Sequence, residues 1–285
     1  MTNLNQFESA FRSADKVIYS YEPVSIERVL VVTDLETDTA EALGTQIRRF
    51  LAVIDSADAD WAIIGGAEFA DVRSLLDRVE RHRPDLIVTY RHLHSDGWQW
   101  PNGLGEYLDV LTQATTAPVM VLPHPDADHA LPHSLHDTDR VMAITDHMAG
   151  DDRLVNHAVA FTSKEGICWL THVESAAHFE RYMEVISKIP AIDTEVARET
   201  VLNQLLKEPH DYIRTCRAAL DARGIAIGIE EIVTTGRRLG EYKRLIEAHD
   251  IDLLVLYTKD EDQLAMHGLA YPLAVELRQI PLLML

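Results

Sequence analysis

Short apolar runs alternate along most of this chain with longer stretches in which apolar residues recur at helical spacing. The short runs are typical of strands buried on both faces of a parallel sheet. We predict strands at 28–33, 60–65, 85–90, 118–122, 140–145, 167–173, 225–233, 251–257 and 281–285, and helices at 38–54, 69–82, 103–114, 151–163, 176–188, 194–222, 237–249 and 264–278. This alternation predicts an α/β fold with open parallel sheets and right-handed crossovers. Such sheets bind ligands outside the carboxyl ends of their strands.

The apolar runs recur in the same order in two parts of the chain. The sequence RVLVVTD at 28–34 returns as RVMAITD at 140–146, and DLIVTY at 85–90 returns as DLLVLY at 252–257. The other pairs are 117–123 with 280–285, and the Gly-Leu pairs at 103–104 and 268–269. The offset between copies grows from 112 to 167 positions, so the second copy holds about 55 additional residues. We therefore predict two copies of one α/β unit, of which the first lacks one strand and one helix.

The repeat predicts the organisation of the whole chain. The segments are an N-terminal extension at 1–27, a reduced first domain at 28–123, a linker at 124–139 and a second domain at 140–285. A shortened copy leaves apolar sheet surface that another segment must cover. The candidates for this cover are residues 11–26, Trp98, Trp100 and the long helix predicted at 194–222.

Several features of the repeated unit occur in an order that is typical of one known family. First strands end in Asp34 and Asp146, a later strand ends in His172-Val173, and Gly66 and Gly236 lie between a strand and a helix. In each copy, a penultimate strand leads through a loop to a final helix and then to a strand that begins with proline. By these features the chain resembles the universal stress protein family in its tandem two-domain form.

The resemblance implies a fold, a role and a set of ligand contacts. The implied fold is the open parallel sheet of the adenine-nucleotide alpha-hydrolase-like type, and the implied role is stress response or regulation without catalysis. The ligand-binding residues that it implies are Asp34, Asp146, Val173, Gly236 and Gly268. It also implies that the two copies pack about a pseudo-twofold axis through their last strands. A protein partner, a small ligand and a homodimer of the whole chain all stay open.

ATP-binding members of the family carry Gly, two residues, Gly, nine residues, then Gly and Ser or Thr after the penultimate strand. Glycines allow the backbone to approach phosphates, and N–H groups then hold the negative charge. Here Tyr90 and Tyr257 stand at the first glycine position, and Asp260 stands at the second in the later copy. Gly103 and Gly268 remain, but leucine follows each of them. We predict that neither copy binds ATP in the family manner and that no cofactor is held. The alternative is that the second copy binds an adenine nucleotide through altered contacts.

Composition limits the partners and the location. The 285 residues include 46 acidic and 26 basic residues, and the resulting formal net charge of −20 disfavours nucleic acid. No apolar run approaches the ~20 residues of a membrane helix, so no membrane insertion is expected. The N-terminus lacks an apolar signal-peptide core, and two cysteines cannot form a disulfide framework. We therefore expect a cytoplasmic protein.

Histidine-rich segments raise a third possibility, a metal-dependent hydrolase. The residues are His124, His129, His133, His136 and His147 with Asp126, Asp128 and Asp137, and a second group of His92, His94 and Asp96. Imidazoles and carboxylates suit zinc, but these spacings match no helical metal motif. No nucleophile elbow occurs, and Cys168 and Cys216 lie in segments where packing is expected. We predict a solvated linker, no metal site and no enzyme.

Overall fold

The computed structural model describes residues 17–56, 59–100, 103–127, 130–145, 148–258 and 270–285. Its strands are β1 (Arg28–Val32), β2 (Asp60–Ile64), β3 (Leu86–Tyr90), β4 (Val119–Leu122), β5 (Arg140–Ile144), β6 (Ile167–Ser175), β7 (Gly228–Gly236), β8 (Leu253–Leu256) and β9 (Leu282–Met284). Its helices are α1 (Thr37–Phe50), α2 (Val72–His82), α3 (Glu106–Ala114), α4 (Asp152–Phe161), α5 (Ala176–Ile186), α6 (Thr194–Ala222), α7 (Arg238–Ala248) and α8 (Ala270–Glu276).

The strands form one sheet in the order β2-β1-β3-β4-β9-β8-β5-β6-β7. All neighbouring strands run parallel except β4 and β9, which pair antiparallel. The predicted α/β class with an open, mostly parallel sheet is confirmed. Strands β1 to β4 make one side of the sheet, here called the first half, and β5 to β9 make the second half. The domain boundaries at 28–123 and 140–285 stay a prediction.

The two halves repeat their strand register. Val29 of β1 lies opposite Leu86 of β3, and Val141 of β5 lies opposite Leu253 of β8, as the two sequence offsets require. The acids that precede β3 and β8 also repeat one contact. Asp85 Oδ2 accepts a hydrogen bond from the Arg28 N–H, and Asp252 Oδ2 accepts one from the Arg140 N–H, each at 2.9 Å. The similarity of the two copies thus extends from sequence to hydrogen bonding.

The centre of the sheet is where the two halves meet. Strands β3, β4, β8 and β9 are buried along their whole length, as their uninterrupted apolar sequences predict. In the antiparallel pair, Met120 lies opposite Leu283, and both side chains are fully buried. The halves therefore share a single hydrophobic core. Among the described residues, no helix combines the length and the apolar content needed to cross a membrane.

The difference in length between the halves lies at the outer edges of the sheet. In the second half, α5, α6 and β7 follow β6, and β7 pairs with β6 over nine residues. Within the described part of the first half, β2 is instead an edge strand. The first half thus lacks one strand, as predicted, but two helices rather than one. The expectation of a single missing helix was wrong, because the predicted elements themselves place three helices in the first copy and five in the second, as the described residues do.

Residues 19–22 of the N-terminal segment do not lie where the shortened copy suggested. The backbone N–H of Tyr19 donates to Thr215 of α6, and that of Ser20 donates to Asp152 of α4. Both helices belong to the second half, so residues 19–22 lie against the longer half. Trp98 stacks on His124, with ring centroids 4.8 Å apart.

Candidate functional site

Asp34 follows β1 at the carboxyl end of the first half, and its carboxylate is already bound by the chain itself. The hydroxyl of Tyr90, the last residue of β3, donates to Asp34 Oδ1. The other carboxylate oxygen accepts the backbone N–H of His94 at 2.7 Å. Thr33 Oγ1 lies 2.6 Å from the Tyr90 hydroxyl, which also accepts the N–H of Asp34 at 3.2 Å. The phenol therefore fills the space at the end of β1.

The electrostatics of this cluster keep the phenol neutral. Burial raises the pKa of Tyr90, and the hydrogen bond to the Asp34 carboxylate raises it further because a phenolate beside a carboxylate is disfavoured. Gly66 closes the cluster from the neighbouring strand end. A Cβ atom there would lie 2.3 Å from the backbone oxygen of Asp34, so a larger residue would displace the loop. Each oxygen of the Asp34 carboxylate thus already accepts one hydrogen bond from the chain itself.

In the second half, the structure brings together two of the predicted site residues. Val173 of β6 is fully buried, and its Cγ1 lies 3.9 Å from the position of a Cβ atom at Gly236, the last residue of β7. The backbone oxygen of Val173 accepts a hydrogen bond from Arg238 Nε at 3.0 Å. Asp34 lies in the other half, and Asp146 and Gly268 lie outside the described residues.

Tyr257 follows β8 at the position equivalent to Tyr90, but its surroundings differ. The Arg153 guanidinium lies 5.9 Å from the centre of the Tyr257 ring. Burial raises the pKa of Tyr257 to about 12, and the nearby charge of Asp151 adds to this effect. Thr145 Oγ1 donates to Asp151 Oδ2 at 2.6 Å, which joins the end of β5 to the start of α4. The acidic loop that contains Asp260 lies outside the described residues.

Comparison with protein-family models gives no match, and no curated protein matches the chain. Two solved structures resemble it over most of its length. One is a functionally unknown protein from Pseudomonas aeruginosa PAO1, with a TM-score of 0.50, 12% identity and coverage of 91% of this chain and 92% of that one. The other is a candidate universal stress protein from Pseudomonas aeruginosa UCBPP-PA14, with a TM-score of 0.52, 12% identity and coverage of 91% and 93%. The chain has a universal-stress-like fold. At this identity the likeness concerns the fold alone.

His172 was not predicted as a site residue from the sequence. It directly precedes Val173 on β6 of this universal-stress-like fold. Its side chain is buried on β6, and Nε2 lies 3.5 Å from Glu174 Oε2, while Nδ1 has no hydrogen-bond partner among the described residues. Burial lowers the pKa of His172, and the Glu174 carboxylate opposes this shift. A signal was present, because His172 and Glu174 are two residues apart and therefore share one face of a strand.

The histidines between the halves of this universal-stress-like fold are engaged in local contacts. His124 packs edge-on against Tyr90 as well as stacking on Trp98, and His133 Nε2 lies 3.3 Å from the backbone oxygen of Ile251. In the described ranges, no group of three or more His, Cys, Asp or Glu side chains could hold a metal ion. His129, His147 and Asp128 lie outside those ranges.

Both cysteines of the universal-stress-like fold are buried free thiols, as predicted. Burial raises the pKa of Cys168 to about 12, so this thiol stays protonated near neutral pH. Burial also raises the pKa of Cys216. Since the thiolate is the nucleophilic form, neither side chain has the environment of a reactive cysteine.

Removing the hydroxyl of Tyr90 tests its role in this universal-stress-like fold. We expect Tyr90→Phe to lower the free energy of unfolding by about 1–2 kcal/mol, because the Asp34 carboxylate loses a buried donor. Tyr182→Phe is the matched control, since Tyr182 is 56% exposed and its change should stay within about 0.5 kcal/mol. Urea unfolding followed by circular dichroism measures both variants. Equal effects of the two changes would contradict the assigned role of the phenol.

Proposed function

We propose that this chain is a tandem universal stress protein that acts in stress response or regulation. In this proposal it binds a protein partner or a small ligand, performs no catalysis and does not hold ATP as ATP-binding family members do. We further propose that it works in the cytoplasm, as its low cysteine content predicts. The observation that carries the proposal is the Tyr90 phenol, which occupies the Asp34 carboxylate at the end of β1.

The tandem character of the proposed protein is supported by the repetition of detail between the halves. The register of β1 with β3 returns in β5 with β8, and the same acid-to-backbone contact precedes β3 and β8. The antiparallel pairing of β4 with β9 is what a twofold relation through the last strands requires.

The proposed loss of ATP binding follows from what a phosphate loop needs. Phosphates bind where glycines expose backbone N–H groups and where no side chain fills the approach. Tyr90 stands at the first glycine position and is buried, with its hydroxyl bonded to Thr33 and Asp34. ATP could enter there only by displacing these hydrogen bonds and exposing the ring. Tyr257 occupies the equivalent position of the second half and packs near Arg153.

A second candidate function is adenine-nucleotide binding by the second half alone. It is favoured by the His172 ring, which is buried near the carboxyl end of β6 on the face of the sheet opposite to Val173, and whose Nδ1 has no hydrogen-bond partner among the described residues. A buried ring nitrogen of this kind can exchange a hydrogen bond with a base or another polar ligand. In this second candidate function, the nucleotide would therefore bind to the second half.

Calorimetric titration of the full chain with Mg-ATP tests the proposal. We expect no saturable heat up to millimolar ATP, because tyrosines occupy both positions where the phosphate loop begins. Saturable binding in the micromolar range would contradict the proposal and favour the second candidate.

Two glycine variants then locate any binding that is observed. Gly236→Glu introduces a carboxylate beside Val173, and a Cβ there meets only ordinary contacts, the nearest at 3.6 Å. Gly240→Glu adds the same charge where a Cβ atom meets nothing beyond its own stretch of helix within 4 Å, and it serves as the control. Loss of ATP binding in the first variant alone would assign the nucleotide to the second half.

A further inference from the structure

A segment close to the N-terminus lies in a groove between α4 and α6 of the second half. Tyr19 is the centre of this contact. Its hydroxyl donates to Asn156 Oδ1 at 2.5 Å, its backbone N–H donates to Thr215 Oγ1 at 3.0 Å, and its ring meets the Tyr212 ring edge-on at 6.2 Å between centroids. The Tyr19 side chain is buried. One aromatic residue thus anchors the segment to both helices.

The groove provides polar groups that this segment satisfies. Asn156 Oδ1 also accepts the backbone N–H of Glu22 at 3.3 Å. Asp152 Oδ2 accepts the N–H of Ser20 at 3.1 Å, and its other oxygen accepts the Tyr212 hydroxyl at 2.5 Å. Asn156 is buried, so its oxygen would lose both donors if the segment left and no water replaced it. These contacts form a specific docking site for residues 19–22.

The segment is nevertheless attached by few buried side chains. Val17 and Ile18 are 50% and 71% exposed, and Ser20 and Glu22 are exposed as well. Besides the buried Tyr19 ring, only the Tyr21 ring in residues 19–22 is partly buried, with the Arg223 guanidinium 5.5 Å from its centre. A segment held by these few contacts has the properties of a unit that opens on its own. Tyr19 is one member of a hydrophobic cluster whose other members lie mostly in the sheet and its helices, so most of that cluster would stay in place when the segment opens.

The first turn of α4 connects the docking site of the segment to the carboxyl end of β5. Asp152 is the first residue of α4, and its neighbour Asp151 accepts the hydrogen bond from Thr145 directly after β5. Holding Asp152 therefore holds the first turn of α4 beside the strand ends. Release of Ser20 and Tyr19 would remove that restraint.

We propose that residues 19–22 form a releasable latch, which closes the groove between α4 and α6 and fixes the first turn of α4 at the end of β5. The latch opens without unfolding the sheet. It makes the N-terminal segment a regulatory element of the strand edge where ligands of such folds bind. The latch is independent of whether that ligand is a nucleotide, so its test does not depend on the proposed function.

The two cysteines provide built-in reporters of latch opening. Cys216 is fully buried and directly follows Thr215, which bonds to Tyr19. Cys168 is also fully buried but lies in β6, between β5 and β7. Opening of the latch should expose Cys216 to a thiol reagent, whereas Cys168 should react only when the sheet unfolds.

The experiment measures thiol labelling by an aromatic disulfide reagent in the full chain at low urea concentrations. Cys168→Ala leaves Cys216 as the only thiol, and Cys216→Ala leaves Cys168. We expect Cys216 to react at least about tenfold faster than Cys168, with a weaker dependence on urea, because local opening exposes little surface. In the Cys168→Ala chain, Tyr19→Phe should raise the rate by about fivefold to tenfold and Tyr19→Ala by roughly a hundredfold.

Phe50→Leu in the same chain is the control for general destabilisation. Phe50 is buried in the first half, away from the latch, so its change should leave the labelling rate of Cys216 at low urea unaltered. Two results would overturn the proposal. One is labelling of the two cysteines at the same rate with the same urea dependence, which would make the segment part of the cooperative core. The other is a Cys216 rate that does not respond to Tyr19→Ala.

Discussion

Replacing Arg91 by alanine is expected to lower the free energy of unfolding by about 3–5 kcal/mol, the largest effect of any single change considered for this chain. Arg91 directly follows β3 and is buried. Its Nε donates to the backbone oxygen of Ala274 and its Nη2 to that of Leu277, both at 2.8 Å. These carbonyls belong to the end of α8, where a helix leaves its last carbonyl groups without internal partners.

The charge of Arg91 is held by helix carbonyls in place of water. Burial lowers the pKa of Arg91 to about 9, with a further contribution from the nearby Arg278, yet the group stays protonated at neutral pH. A cation at a helix carboxyl end also interacts favourably with the helix dipole. Alanine would leave two buried acceptors without donors and would open a cavity. Arg91→Lys should lower the free energy of unfolding by about half as much as Arg91→Ala, since an ammonium cannot donate along the two directions of the guanidinium fork.

Urea unfolding followed by circular dichroism measures these losses. Arg78→Ala is the matched control, because Arg78 pairs with Glu68 at 2.7 Å on the surface and such pairs contribute about 1 kcal/mol or less. Arg91 also connects the two halves, since β3 belongs to the first and α8 to the second. We therefore expect Arg91→Ala to broaden the unfolding transition as well. A loss no larger than that of the control would refute the role assigned to this guanidinium.

Most of the fold is predictable from the sequence because the sheet interior leaves a strong local signal. Every predicted strand is present, and the repeated sequences at 28–34 and 140–146 correctly predict the equivalent strands β1 and β5. Strand β7 shows the limit of that signal. The apolar pattern predicts it at 225–233, but it runs from Gly228 to Gly236, because an edge strand is only half buried and its apolar residues define its ends poorly.

The contacts that depend on distant partners could not be predicted in this way. Tyr19 meets Asn156 across 137 positions, and Arg91 meets Ala274 across 183. Nothing local distinguishes either residue from an ordinary loop residue, since the groove and the helix end exist only after folding. Tyr90 is the contrasting case. Its position at the end of a buried strand, where the resemblance implies a glycine, marks it in the sequence, although its bond to Asp34 is visible only in three dimensions.

The equivalent acids Asp85 and Asp252 are expected to affect stability in opposite directions when each is replaced by asparagine. Burial alone would raise the pKa of Asp85, but the Arg28 guanidinium and the N–H groups of Glu27 and Arg28 outweigh it, so the pKa is lowered. The stability that the Asp85 carboxylate contributes is therefore present above the pKa of the unfolded state, and it is lost as the pH falls through the pKa of the folded state. Asp85→Asn should therefore lower the free energy of unfolding at pH 7 by about 1 kcal/mol.

Asp252 keeps the backbone contact but has lost the guanidinium. Arg140 turns its side chain to Asp250, with Nη1 3.1 Å from Oδ2, and the Asp252 side chain is 6% exposed against 28% for Asp85. Burial raises the pKa of Asp252 to about 6, and the nearby Asp137 adds to this shift. A raised acid pKa means that the folded state binds the proton more tightly. The stability that this proton gives is complete below the unfolded pKa of about 4 and is lost as the pH rises through about 6.

Asp252→Asn should accordingly raise the free energy of unfolding at pH 7 by about 1–2 kcal/mol, because the amide oxygen still accepts the Arg140 N–H and no buried charge remains. It should also flatten the decline of stability between about pH 4 and pH 6. Urea midpoints measured across this pH range and at pH 7, for the parent chain and both asparagine variants, test the expected stabilities and their pH dependence. Destabilisation of similar size by both changes at pH 7 would contradict this expectation. It would show that the contribution of Asp252 to stability depends on the backbone contact with Arg140 and not on the missing guanidinium. A gain confined to Asp252 would establish that two copies of one contact have acquired opposite electrostatic roles through the direction of a single arginine side chain.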